Sequence, residues 1–129
     1  VHGVAEHLEG LYYYFSKEMH EAIDIVDTRT LEVVDHIPLS GRPNNISMSR
    51  EIRKLYVGIR GGGPYTDVID IDTHEVIRTI RMHRGVHNIY VTADERWAVA
   101  SLAPGPDNPE WQMLASWVRG ELTGSTCPG

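Results

Sequence analysis

Asn44-Asn45-Ile46-Ser47-Met48-Ser49 and His87-Asn88-Ile89-Tyr90-Val91-Thr92 are one phrase written twice, 43 residues apart. Each is followed by a polar turn and a second apolar run, Lys54-Leu55-Tyr56-Val57-Gly58 and Trp97-Ala98-Val99-Ala100-Ser101. A third copy opens the chain: His2-Gly3-Val4-Ala5, then Glu9-Gly10, then Leu11-Tyr12-Tyr13-Tyr14-Phe15, with His2 lying 42 residues before Asn44. Between these copies Ile25-Val26-Asp27-Thr28 matches Asp70-Ile71-Asp72-Thr73 at an offset of 45, and Glu32-Val33-Val34 matches Glu75-Val76-Ile77 at 43. A period of this length is the mark of a repeat architecture.

Each unit holds four short runs rich in Val, Ile and Tyr, separated by turn residues, which predicts four strands. In the central unit they are expected at about Asn45 to Ser49, Lys54 to Ile59, Asp67 to Ile71 and Glu75 to Met82. Asp72-Thr73-His74 is expected to turn the third strand into the fourth, with the Asp side chain accepting from amides two residues on. Asp27-Thr28-Arg29-Thr30 is expected to do the same one unit earlier. Helical periodicity is scarce, and Gly (12) and Pro (7) gather at the junctions. The fold predicted is all-β: four-stranded antiparallel blades of a β-propeller, with the first strand nearest the axis and the fourth at the rim. The period stops near Leu102. Residues 105–129 read as an irregular or degenerate tail. Trp111, Leu114 and Val118, at helical spacing, allow a short helix over 110–122, and a degenerate strand pair is the alternative.

Gly85-Val86-His87-Asn88-Ile89-Tyr90-Val91-Thr92-Ala93-Asp94-Glu95-Arg96-Trp97-Ala98-Val99-Ala100, taken with Val68-Ile69-Asp70-Ile71-Asp72-Thr73, resembles the YVTN-type β-propeller repeat. Within that family it is most similar to the YncE-like and cytochrome d1-haem-type propellers. The resemblance covers residues 2 to about 102 and implies a secreted or periplasmic protein. It departs from the pattern at Arg50-Glu51-Ile52, where the family has Pro-Asp-Gly, and at Asn44-Asn45, where it has His-Gly. A site built from one residue repeated in every blade is therefore not expected.

The chain has 129 residues with 12 Lys and Arg against 18 Asp and Glu, a formal charge of −6. It lacks the basic surplus that phosphate backbones require, so nucleic acid is not an expected partner. No apolar run approaches the roughly 20 residues of a membrane span. The start, Val1-His2-Gly3-Val4, has neither an initiator Met nor an apolar signal core, as expected of a processed or partial chain. Cys127 stands alone and can form no intrachain disulfide. Propellers need roughly 4 to 8 blades to close. About two complete blades and part of a third leave the ring unfinished, so further blades of a longer chain, or self-association, are expected.

His2, Asn44 and His87 hold equivalent positions at the start of the innermost strand, so all three are expected at one mouth of the central channel. Asn45 and Asn88 adjoin them, and Arg42 and Arg84 sit in the same loops. The plainer reading is that these groups only tie neighbouring blades together. The His83/His87 spacing suits a metal on a helix, but four extended residues span roughly 13 Å, too far for one ion. Gly61-Gly62-Gly63-Pro64 lacks the Lys-Ser/Thr ending of a phosphate loop and reads as a hairpin. Asp24 with Asp27, and Asp70 with Asp72, read as turn caps. Tyr12-Tyr13-Tyr14-Phe15 alternates between two faces and reads as blade packing.

Two functions follow. One is a binding scaffold whose mouth, lined by His2, Asn44, Asn45, His87 and Asn88, takes a small molecule or protein, with Arg42 and Arg84 favouring an anion. The alternative, implied by the resemblance, is an oxidoreductase-type propeller holding a d1-like haem or a metal through His87 or His2. A lactonase ranks third, for want of a carboxylate-rich metal site.

Overall fold

Leu55, Val57 and Ile59 alternate along one strand with Tyr56 and Gly58, giving that strand two apolar faces, so it must lie between two other layers. The computed structural model describes residues 2–103, 111–115, 117–118, 121–122 and 125–126, and it meets this demand with sheets stacked side by side. Val1 and Cys127 lie outside the described residues.

The first sheet is β1 (Val4–Glu6), β2 (Tyr12–Lys17), β3 (Ala22–Asp27) and β4 (Val33–Pro38), antiparallel and in sequence order. The second repeats it as β5 (Arg42–Ser49), β6 (Lys54–Gly61), β7 (Tyr65–Asp70) and β8 (Glu75–Arg81). After β9 (Val86–Val91), β10 (Trp97–Leu102) and β11 (Trp111–Ala115) come a small pair, β12 (Trp117–Val118) and β13 (Glu121–Leu122), and then β14 (Ser125–Thr126). The third sheet has the order β9-β10-β11-β14. Strands β1 and β9 both lie against β5, so the inner strands converge as a propeller requires.

Register gives the equivalences between sheets. Val4, Phe15, Asp24 and His36 oppose one another across the first sheet. Ile46, Val57, Asp67 and Thr79 do so across the second, and Ile89, Ala100 and Gln112 across the third.

Two apolar seams hold the stack. Tyr14, Ile23, Ile25 and Ile37 of the first sheet meet Ile46, Leu55, Val57, Ile59 and Ile69 of the second. Tyr56 and Val68, on the other face of the second sheet, meet Val86, Ile89, Ala98 and Ala100 of the third. Each large aliphatic side chain buried this way contributes roughly 1.5–3 kcal/mol. Polar groups reinforce the seams at the ends away from His2. Arg53 bonds Asp72 in its own sheet and Glu9 in the first. Glu95 accepts from Ser49 Oγ and from the amides of Arg50 and Glu51.

The structure corrects the sequence reading in several places. The hairpin cap of the second sheet is Asp70, whose Oδ1 accepts from the amides of Asp72 and Thr73, because Asp70 and not Asp72 ends the third strand. Asp27 caps the first sheet as expected, accepting from Arg29 and Thr30. The match at an offset of 45 was therefore two residues out of register. Strand β5 starts at Arg42 and β7 covers Tyr65–Asp70, so both begin earlier than expected. Residues 111–115 are a strand, and β11 carries the third sheet past Leu102. Its buried Gln112 (2% exposed) interrupts the apolar alternation that would have revealed it.

At Gly58 the second and third sheets approach closely. A Cβ there would stand 2.5 Å from Val86 Cγ1, and a β-branched side chain on a packed strand has little room to yield. Gly58→Ala is expected to cost about 1–3 kcal/mol. Urea unfolding measures it, and a midpoint matching the wild type would show that the seam is loose.

Candidate functional site at the inner-strand ends

Where an inner strand begins, its first amides and carbonyls are not yet in the ladder and need other partners. Pairing of β5 with β6 jumps from Pro43 to Ile46, and that of β9 with β10 shifts between Ser101 and Leu102. Such bulges re-aim side chains. Ser16 Oγ accepts from the amide of Gly3 (2.7 Å) and donates to the Asn44 carbonyl (2.7 Å), joining the first sheet to the second. Ser101, at the equivalent position, accepts from the Asn88 amide (3.2 Å). Gly58 takes this place in the middle sheet, where Val86 leaves no space for a hydroxyl.

These bulges bring Asn44 and His87 together. Buried Asn44 donates from Nδ2 to His87 Nδ1 (3.1 Å), which puts the ring proton of the exposed His87 on Nε2. Asn45 turns inward, its Oδ1 accepting from the Ile46 amide (2.8 Å). Asn88 is half-buried. His2 is exposed and reaches its own sheet, with Nε2 2.5 Å from Glu18 Oε2. Glu18 lies in the 3-10 turn Glu18–His20 between β2 and β3. The hydrogen bond from His2, with the nearby positive charges of Arg42 and Arg60, holds the Glu18 carboxyl below the usual glutamate value.

Arg42 is exposed and its guanidinium lies over Gly61, where a Cβ would stand 2.4 Å from Nε and Nη2. Arg84 is half-buried, and its Nη1 is fully buried with no hydrogen-bond partner among the described residues. The structure thus joins Asn44 to His87 directly and His2 to Asn44 through Ser16, and turns Asn45 to a backbone task. Sequence reasoning missed Glu18, Arg60 and Ser16. Glu18 and Arg60 fall outside the repeated phrase. Ser16, Gly58 and Ser101 share a place in it that only the register identifies.

The remaining candidates take structural roles. Gly62 (φ 88°) and Gly63 (φ 145°) form the β6–β7 hairpin. Tyr14 is buried in the first seam, where its hydroxyl meets His74 Nε2 (3.0 Å), and Tyr13 and Phe15 share the opposite face. Burial of His74 pushes its pKa down. A shallow depression of about 240 Å³ lined by Leu11, Tyr12, Asp27, Thr28 and Arg29 lies at the other ends of β2 and β3, away from the mouth. Among the described residues no three His, Cys, Asp or Glu side chains gather as a metal ion would require. No described helix is long and apolar enough to cross a membrane.

The sequence profile described as YncE-like β-propeller matches residues 9–96. The chain belongs to that family. No curated protein matches it in sequence. Among solved structures it is similar to hydrazine synthase of Kuenenia stuttgartiensis, with a TM-score of 0.83 and 19% identity over 98% of this chain and 36% of that one. It is also similar to the dihydro-heme d1 dehydrogenase NirN in complex with DHE, with a TM-score of 0.71 and 13% identity over 90% of this chain and 25% of that one. The Cps50 (Swd1) β-propeller domain of Myceliophteria thermophila aligns with a TM-score of 0.69 and 18% identity, over 87% and 34% of the two chains. At these identities the likenesses speak to fold, and this YncE-like chain spans about a third or less of each of those proteins.

Because the folded Glu18 pKa is depressed, its contribution to stability is present above the unfolded carboxyl's pKa and is lost as pH falls through the lower folded value. A 13C titration of Glu18 Cδ is expected to have its midpoint below that of an unperturbed glutamate and to move up in His2→Ala. An unchanged midpoint in that variant would remove His2 as the cause.

Proposed function

We propose that this YncE-like chain supplies neighbouring blades of a larger, secreted or periplasmic propeller that acts as a binding scaffold. Its mouth, at His2, Asn44, Asn45, His87 and Asn88 with Arg42 and Arg84, takes a small anionic ligand or an acidic segment of a protein partner. The supporting observation is Arg84 Nη1, a buried guanidinium nitrogen with nothing to donate to among the described residues. A buried charged donor without an acceptor is costly, and an incoming carboxylate or phosphate oxygen satisfies it. Arg42 and Arg60 add positive charge on the same side of a chain whose net charge is −6. His87, oriented by Asn44, offers an Nε2–H donor at the start of β9. Neutral donors and fixed cations of this kind bind and orient an anion.

The second reading, an oxidoreductase-type propeller holding a d1-like haem or a metal, rests on the exposed His87 ring, and ligation through Nε2 would require its proton to move to Nδ1 and the Asn44 amide to turn its Oδ1 toward it. His87 is the residue that would hold the iron of such a group, which would supply the redox chemistry. His2 is the weaker ligand, since Glu18 occupies its Nε2.

Citrate and inorganic phosphate serve as probes. A ligand present at 100 times its Kd stabilises the folded state by about 2.7 kcal/mol, seen as a raised Tm. Arg84→Gln is expected to abolish the rise, and Arg42→Gln to weaken it. Equal shifts in wild type and Arg84→Gln would refute the anion site. Visible absorbance in the native protein, lost in His87→Ala, would favour the haem reading instead.

A further inference from the structure

Four rings meet across the first seam, at the end away from the mouth. Tyr12 and Tyr14 come from β2, His7 from the turn that leads into it, and His74 from the β7–β8 hairpin of the second sheet. The His74 ring stands edge-on to both tyrosines, its centroid 5.3 Å from that of Tyr12 and 5.6 Å from that of Tyr14. His7 stands edge-on to Tyr12 in turn, at 5.3 Å. Tyr14 and His7 are buried and His74 is half-buried. The hairpin fixes where the His74 ring points, since its backbone is left-handed (φ 59°) and its amide donates to the Asp70 carbonyl (2.8 Å).

Hydrogen bonding dictates the protonation of this group. Tyr14 Oη lies 3.0 Å from His74 Nε2 and makes its one hydrogen bond to the described residues there. Burial keeps the phenol protonated by pushing its pKa well above the ordinary tyrosine value. The buried O–H therefore needs an acceptor, and the bare Nε2 of a neutral imidazole supplies it. A protonated His74 donates from both nitrogens. It can no longer accept from Tyr14, whose hydroxyl proton is then left in the apolar seam, and it brings a cation toward the His7 ring. Burial and His7 push the His74 pKa below the usual 6.5, while Asp35 of β4 and Asp72 and Asp70 of its own hairpin pull the other way with less effect. Arg53 and Glu9, the other charges felt by Tyr14, are bonded to each other.

We infer that Tyr14 and His74 form a proton-sensitive latch between the first and second sheets, fastened while the imidazole is neutral and released when it takes up a proton in mild acid. Unlike the Arg53 clasp beside it, this tie runs through a group whose charge changes near neutrality. The folded His74 pKa lies below the unfolded one, so the unfolded chain binds more protons in mild acid. The latch is therefore at full strength above 6.5 and weakens as pH falls from there to the folded value. The inference is independent of the mouth, and a chain that binds no anion leaves it standing.

NMR and urea unfolding of the natural polypeptide test it. The His74 ring nitrogens are expected to titrate with a midpoint below 6.5, and the nuclear Overhauser contact between His74 Hε1 and the Tyr14 ring is expected to disappear with the same midpoint. In Tyr14→Phe that midpoint is expected to move up, because no hydroxyl then donates to the neutral ring. His74→Gln keeps an oxygen that can accept from Tyr14 and takes up no proton. On acidification the wild-type unfolding constant is expected to rise more than that of His74→Gln, by about tenfold for each unit that separates the folded pKa from 6.5. A His74 midpoint at or above 6.5 would overturn the inference. So would a contact that survives protonation, an unmoved midpoint in Tyr14→Phe, or equal pH dependence in wild type and His74→Gln. Should either variant fail to fold, the wild-type titration and contact decide alone.

Discussion

A twisted sheet with apolar side chains on both faces is stable only between two others, and β6 imposes that condition on the whole molecule. Leu55, Val57 and Ile59 point one way and Tyr56 the other, all of them fully buried. Because the side-chain period of a strand is two, a slip of one residue would exchange the two faces and spoil both seams at once. The register of the middle sheet is therefore held from both sides, and the neighbouring sheets take their alignment from it. The convergence of the inner strands, and with it the existence of a mouth, follows from this stacking.

The mouth is polar for a related reason. Close approach of inner strands strands their first amides and carbonyls between layers, where each must find a partner. Ser16, Ser101 and Asn44 meet that need, and in doing so leave His87 with one nitrogen fixed and the other outward. Groups that fasten the seams thus also line the mouth at which we propose that a ligand binds.

Much of the fold was legible because the repeat is strongest where burial is strongest. The phrases at Asn44 and His87 carry the inner strands, and each is followed by a run alternating between two buried faces. The same logic fails at β11, since Gln112 is buried to hold a linker amide and looks like surface in a sequence. Asp70 was overlooked in favour of Asp72 because both are aspartates near one turn, and only the end of the strand decides which side chain faces the amides. At the mouth, equivalence of position predicted that Asn44 and His87 would be neighbours. It could not reveal Glu18 or Arg60, which come from less regular parts of each unit, nor that Asn45 would fold back on its own backbone.

The two ends of the stack are fastened by different physics. Around Asn44 the ties between sheets are neutral hydrogen bonds, whereas at the opposite end Arg53 clasps Glu9 and Asp72, lowering the pKa of both carboxyls. Mobile ions screen exposed charges over about 10 Å at 0.1 M and scarcely affect neutral pairs. Added electrolyte therefore weakens the ties at the Arg53 end while those around Asn44 keep their strength.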